Sequence, residues 1–208
     1  MRIFAGATIL GLSLAAALTA GVPKSTDIRR VDFKNFLFPW DEAMAEASSV
    51  PSVWRWIDPL PQSHIRAVRG IHHFYFSGQT DLEREHAPLI SVDSVIYGDL
   101  DGDEAEEAAV HLNYSTGGTS NWDFLYIYKL DRGLPKLLGV LESGSRGYGG
   151  FMRTSIAEGQ LVLDFADPER RVGDCCSEGY IRVRYRWRHQ GFVEEGSRER
   201  GDLPLKVR

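Results

Sequence analysis

The residues DSVIYGDLDGDEAEEAAVHLNY, Asp93 to Tyr114, decide how this chain reads. Two apolar runs flank an acidic segment in which Asp99, Asp101 and Asp103 alternate and Glu104, Glu106 and Glu107 follow. Antiparallel pairing of the runs sets Val95 opposite Val110 and Tyr97 opposite Ala108, apolar against apolar on one face. That register leaves Asp99 to Glu106 as the connection. A two-residue turn at Asp101-Gly102 is also a hairpin signal, but it sets Tyr97 against Glu106, a poorer match.

Working outward, the pattern from Leu89 onward is that of an antiparallel meander, with short apolar runs broken by Gly, Asp and Pro. Ile90 to Gly98 and Glu107 to Tyr114 form the first hairpin. Trp122 to Leu130 is apolar on both faces, as in a central strand, and Asp131-Arg132-Gly133 turns it into Leu134 to Leu141. Phe151 to Ala157 and Gln160 to Ala166 read as another hairpin. Tyr180 to His189 places Ile181, Val183, Tyr185 and Trp187 on one face and Arg182, Arg184, Arg186 and Arg188 on the other. Phe192 to Glu194 is a short last strand, and the tail from Gly196 reads as charged and loose.

Before the meander, Ile28 to Phe33 suggests a first strand, and Asp41 caps a short helix over Glu42 to Ser48, ended by Pro51. Trp54 and Trp56 cover a small core or form a ligand platform. Val68 to Ser77 is β-rich, and Gly78 to Pro88 is a polar connection. The fold class expected is mainly β (α+β), a single antiparallel meander or sandwich-like domain with a short N-terminal helical segment. Its parts are 1–21, a signal peptide; 22–88, an N-terminal extension with the small helix and first strands; 89–195, the antiparallel β domain, continuous with the preceding segment; and 196–208, the tail.

The signal peptide rests on Arg2, the uncharged run Ile3 to Leu18 and the small residues around Ala20. The run is shorter than the ~20 residues of a spanning helix, so no stable membrane span is expected after cleavage; an uncleaved anchor is the rival reading. The expected location is secreted or periplasmic. With 24 Lys and Arg against 29 Asp and Glu, net −5, the chain lacks the basic surface of a general nucleic-acid binder. The partner expected is a protein or envelope ligand of unknown identity.

The acidic loop carries the most specific chemistry. Calcium takes six to eight oxygens, which loops supply from alternating Asp at positions 1, 3 and 5 and a later carboxylate. Asp99, Asp101 and Asp103 fit those positions, and Glu107 falls at position 9. The spacing resembles the D-x-D-x-D-G loops of EF-hands, dockerins and FG-GAP repeats. Position 6 is Glu104 where those loops place glycine, and position 12 is Val110 where EF-hands place a bidentate Glu. Two readings stay open: a calcium site of Asp99, Asp101, Asp103 and Glu107, or a solvated acidic turn that keeps the hairpin tip soluble.

Cys175 and Cys176 are adjacent and are the chain's two cysteines. In an oxidising compartment they pair with each other, pair between molecules or stay free. A vicinal bond bridges Cα atoms closer than the usual span, so either a structural kink or a redox role follows. His72 and His73 face opposite ways on one strand, and His111 sits on the polar face of its own; none has the spacing of a metal ligand. The arginine stripe suits an anionic polymer or a solvated face paired with neighbouring carboxylates. Ser143 to Gly150, SGSRGYGG, lacks the spacing of a nucleophile elbow.

The segments YGDLDGDEAEEAAV, TGG, YIYKLDRGLPKLL, SGSRGYGG, DCC and RYRW resemble a loose group of uncharacterised exported bacterial proteins, over about Ser91 to Phe192. That group's hairpin loop reads GDG, from which Glu104 departs. The resemblance implies export and one domain, and no substrate. The function expected is an exported non-catalytic β-rich domain, a calcium-stabilised binding or envelope protein. The alternatives are a secreted hydrolase using the loop carboxylates and a vicinal-disulfide redox protein.

Overall fold

The computed structural model describes residues 26–40, 55–57, 63–118, 121–173, 175–189 and 191–203. The N-terminal elements are β1 (Leu37–Trp40), β2 (Arg55–Ile57), β3 (Ser63–Arg66), β4 (Ile71–His73) and one short helix, α1 (Asp81–Glu85). Four long strands follow: β5 (Leu89–Gly98), β6 (Glu107–Ser115), β7 (Asn121–Asp131) and β8 (Leu134–Glu142). The C-terminal part holds β9 (Phe151–Ala157), β10 (Gln160–Ala166), β11 (Arg171–Val172), β12 (Cys176–Ser177), β13 (Gly179–Arg188), β14 (Gly191–Glu194) and β15 (Glu199–Asp202).

The protein is mostly antiparallel β, as expected. One sheet has the order β2-β8-β7-β6-β5-β4, with the meander at its centre. A second has the order β14-β13-β10-β9, with β15 also on β13; two small ladders, β1-β3 and β11-β12, complete the set. The six-stranded sheet is the middle layer. On one face Val110, Leu112, Phe124, Tyr126 and Tyr128 pack with Phe33, Phe38, Trp40 and Ile65. On the other, Ala109, Leu125, Ile127 and Leu141 pack with Leu161, Leu163, Phe165, Val183 and Tyr185. Alternation along β7 therefore sends odd residues to one core and even residues to the other, which is why no polar face shows in its sequence. The Tyr126 hydroxyl finds its partner by donating to the Pro39 carbonyl at 2.8 Å.

The first hairpin has the expected register, Val95 against Val110 and Tyr97 against Ala108, ending at Gly98 against Glu107. A bulge between Val92 and Ser94 makes this possible. It reverses the parity of β5, so that Ile90 and Val92 before it and Val95 and Tyr97 after it all pack in the same core.

Several expectations are corrected. Residues 28–33 are not a strand but two 3₁₀ turns, Ile28–Arg30 and Phe33–Asn35. Asp27 and Asp32 accept from the amides of Arg29 and Lys34, and these side-chain caps offer the backbone a local alternative to a ladder. Of the stretch 68–77, only Ile71–His73 is strand. The segment read as a polar connection contains α1, started by a capping box between Thr80 and Glu83. The helix expected over 42–48, Trp54 and residues 1–25 lie outside the described residues. Residues 199–202 of the tail are not loose but form β15, paired on Gly179 to Arg182. Gly201 makes this approach possible, since a Cβ there would lie 2.5 Å from the Tyr180 ring.

Candidate metal centre

The acidic loop is held at both ends. Gly98 and Glu107 close the ladder, and Leu100, 2% exposed, drops into the core between the two large sheets. Between these anchors the loop turns on its own carboxylates. Asp99 accepts from the amides of Gly102 (2.7 Å) and Glu104 (3.1 Å), and Asp103 accepts from Ala105 (2.9 Å). Gly102 has φ +81° and Glu104 φ +68°. Position 6 therefore keeps the left-handed backbone that glycine serves in calcium loops, at a cost of about 1 kcal/mol for carrying a side chain.

Glu107 is the unusual member, at 1% exposed. Its Oε2 accepts from the Leu100 amide at 2.7 Å, while its Oε1 is buried with no hydrogen-bond partner. Oδ1 of Asp101 is likewise buried and unpartnered. Asp99, Asp101 and Glu107 each bring a carboxylate oxygen within 4.8 Å of the others. Burial, against the pull of the Leu100 and Asp101 amides, pushes the Glu107 carboxyl up to about 7, and the charges of Asp101 and Asp103 push in the same direction.

Lys129, on β7, is the cation already at the cluster. Its Nζ donates to Oδ2 of Asp101 at 2.6 Å and lies 3.7 Å from Oδ2 of Asp103. Asp103 thus turns to the lysine and is not part of the three-carboxylate group. Glu106 points outward, where Arg29 donates to it at 2.7 Å and lies over the Tyr97 ring. A cavity of about 280 Å³ separates the loop from Thr26, Asp27 and Ile28.

The other singled-out residues do not join this site. Trp56 stacks on Phe192 with ring centroids 4.5 Å apart, covering the core. His111 pairs with Asp123 at 3.0 Å, and Asn113 donates to the same oxygen at 2.8 Å. That half-buried His111–Asp123–Asn113 group is not legible in the sequence, because it depends on β6 and β7 being neighbours. His72 bonds the Arg66 carbonyl and His73 stacks on Tyr75. The arginine stripe is fully paired: Arg182 with Asp164 through two bonds, Arg184 with Glu199, and Arg186 and Arg188 with Glu195. Glu195 is accordingly held down at about 2 by its Arg186, Arg188 and Gln160 hydrogen bonds.

Cys175 and Cys176 are bonded to each other. The glycine loop 144–150 lies against them, and a Cβ on Gly147 would sit 2.6 Å from the Cys176 carbonyl oxygen. Comparison with family models, curated proteins and solved structures finds no match to this chain.

Proposed function

We propose that the chain is an exported, non-catalytic β domain whose hairpin loop takes a divalent cation, calcium above all, as a structural ion for a binding or envelope role. One observation carries the reading. Glu107 Oε1 and Asp101 Oδ1 are buried without partners, and Asp99, Asp101 and Glu107 each bring a carboxylate oxygen within 4.8 Å of the others. Buried carboxylate oxygens normally find donors, because leaving a charged group unpaired costs several kcal/mol. A cation supplies the missing partner to Glu107 and Asp101 at once, with the amide-bonded Asp99 carboxylate as a third oxygen ligand. All-oxygen ligation by an irregular loop suits calcium, which accepts variable geometry, over magnesium, which demands an octahedron. Lys129 offsets part of the negative charge and so competes with the ion for Asp101.

Thermal unfolding in calcium and in chelator tests this. Calcium at about 100 times its dissociation constant stabilises a single-site protein by roughly 2.7 kcal/mol, a rise of about 5–10 °C for a domain of this size. A rise that Glu107→Gln abolishes supports the site; equal melting in both buffers removes it.

A further inference from the structure

Cys175 and Cys176 are the chain's two cysteines, and the bond between them joins adjacent residues whose Cα atoms are 3.7 Å apart. A ring closed on two neighbours removes little chain entropy from the unfolded state, so this bond is a poor staple. It also spans less than the usual Cα separation of a disulfide, which makes such a bond easier to reduce. Access agrees with this. Both cysteines are exposed, and both line an open cavity of about 1070 Å³ shared with Gly147 and Leu203.

The surroundings convert the state of this bond into a position of the glycine loop. β11 pairs with β12 as Arg171 against Ser177 and Val172 against Cys176, so the bond sits at the tip of a short hairpin. The base of that hairpin is fixed. The Ser177 hydroxyl lies 2.8 Å from the Asp167 carbonyl oxygen, and the Glu178 amide donates to the Arg170 carbonyl at 3.0 Å. The tip rests on the glycine loop. A Cβ on Gly147 would lie 2.6 Å from the carbonyl oxygen of Cys176 and 3.0 Å from its amide nitrogen, and the Arg171 guanidinium sits 4.0 Å from the centre of the Tyr148 ring. Within the loop, the amides of Gly144, Tyr148 and Gly150 donate to the carbonyls of Gly149, Ser145 and Arg146. A change in the Cys175–Cys176 backbone is therefore felt at Gly147, where there is no room for even a methyl group.

We infer that Cys175–Cys176 is a reversible thiol–disulfide exchange site, reduced by a dithiol, whose state sets how the glycine loop packs. A thiolate of the dithiol attacks one sulfur, the Cys175–Cys176 bond breaks as a mixed disulfide forms, and the released cysteine takes up a proton. The dithiol's second thiolate then displaces the other cysteine, which is protonated in turn. The protein gains two electrons and two protons, and the dithiol leaves as its own disulfide. The site shares no residue with the acidic loop. Dithiothreitol is the probe. In the full chain under native conditions it should release both thiols, counted by mass after alkylation, at a rate within about threefold of that in urea, because nothing has to unfold first. Replacing it with oxidised glutathione should restore the bond. Hydrogen exchange of residues 144–150 should quicken at least about fivefold on reduction, while Leu125 to Ile127 of β7 stay protected. Joint replacement Cys175→Ser and Cys176→Ser should show the faster exchange with and without dithiothreitol. Two free thiols in protein held in oxidising buffer, a bond reduced only after unfolding, or equal exchange of the loop in the two states would overturn the assignment.

Discussion

Lys129 and Asp101 form a half-complete pair: Nζ is 2.6 Å from one carboxylate oxygen, while the other oxygen of the same group is buried and unpartnered. The lysine side chain is 28% exposed and the aspartate 9%. One cation already neutralises the outer side of the cluster and leaves its inner side open. Lys129→Met should therefore do two things. Without calcium it should destabilise by about 1–3 kcal/mol, since a buried carboxylate loses its donor. With calcium the loss should shrink, and affinity should rise several-fold, as the competing charge is gone. Paired urea titrations with and without the ion check this, and a loss of equal size in both buffers counts against it.

Glu107→Gln separates ligation from packing. The amide keeps the shape and the carbonyl oxygen that receives the Leu100 amide. Without the ion, stability at pH 8 should be unchanged or higher, because a charged buried group is gone. Calcium binding should weaken at least about tenfold, since a charged ligand is lost. A variant unfolded at pH 8 would instead make Glu107 indispensable to the fold.

The pH dependence follows from the same residue. Its folded value, about 7, lies above the ordinary 4.5, so folding favours the protonated form. This contribution is fully present below about pH 4.5 and is lost as pH rises through about 7, a fall on the order of 3 kcal/mol. Calcium binds the charged form and reverses the trend, so stabilisation by the ion should grow between pH 5 and 8 and binding should release protons. Denaturation across that range in chelator and in calcium measures both slopes. Parallel curves contradict the assignment.

Glu104→Gly tests the loop backbone. With φ at +68°, glycine should stabilise by about 1 kcal/mol without altering the fold. A destabilised variant would show that the Glu104 side chain contributes contacts of its own.

The hairpin was legible because apolar alternation leaves one good register for Val95 and Val110. The bulge beside Asp93 was not, because a single inserted residue is written in no turn signal. The two 3₁₀ turns were written in Asp27 and Asp32, whose capping ability competes with the strand propensity of Ile28 and Val31. The capping box was present as Thr80-Asp81-Leu82-Glu83 and lay within a stretch too polar to suggest a helix. The tail misled because charge alone suggests a solvated segment. Glu199 in fact meets Arg184, and Gly201 clears the Tyr180 ring. In the site, Asp99, Asp101 and Glu107 converge as their spacing suggests. Asp103 turns away because Lys129 arrives from a strand twenty-odd residues on, a tertiary partner that spacing within the loop cannot reveal.

The Arg182–Asp164 pair joins β13 to β10 across the second sheet. Asp164→Ala should destabilise by about 1–3 kcal/mol, because the carboxylate is 6% exposed and both its oxygens are bonded to the guanidinium. Thermal melts in low and high salt check this, and the loss should persist at high salt, where exposed pairs such as Arg198 with Glu194 are screened.

Isothermal calorimetry of calcium into the chelator-treated full chain tests the central claim most directly. A single saturable site with a dissociation constant in the range of about 10⁻⁵–10⁻³ M, lost in Glu107→Gln, is the predicted result. Absence of binding heat at several temperatures, together with an unchanged melting temperature in millimolar calcium, would contradict it.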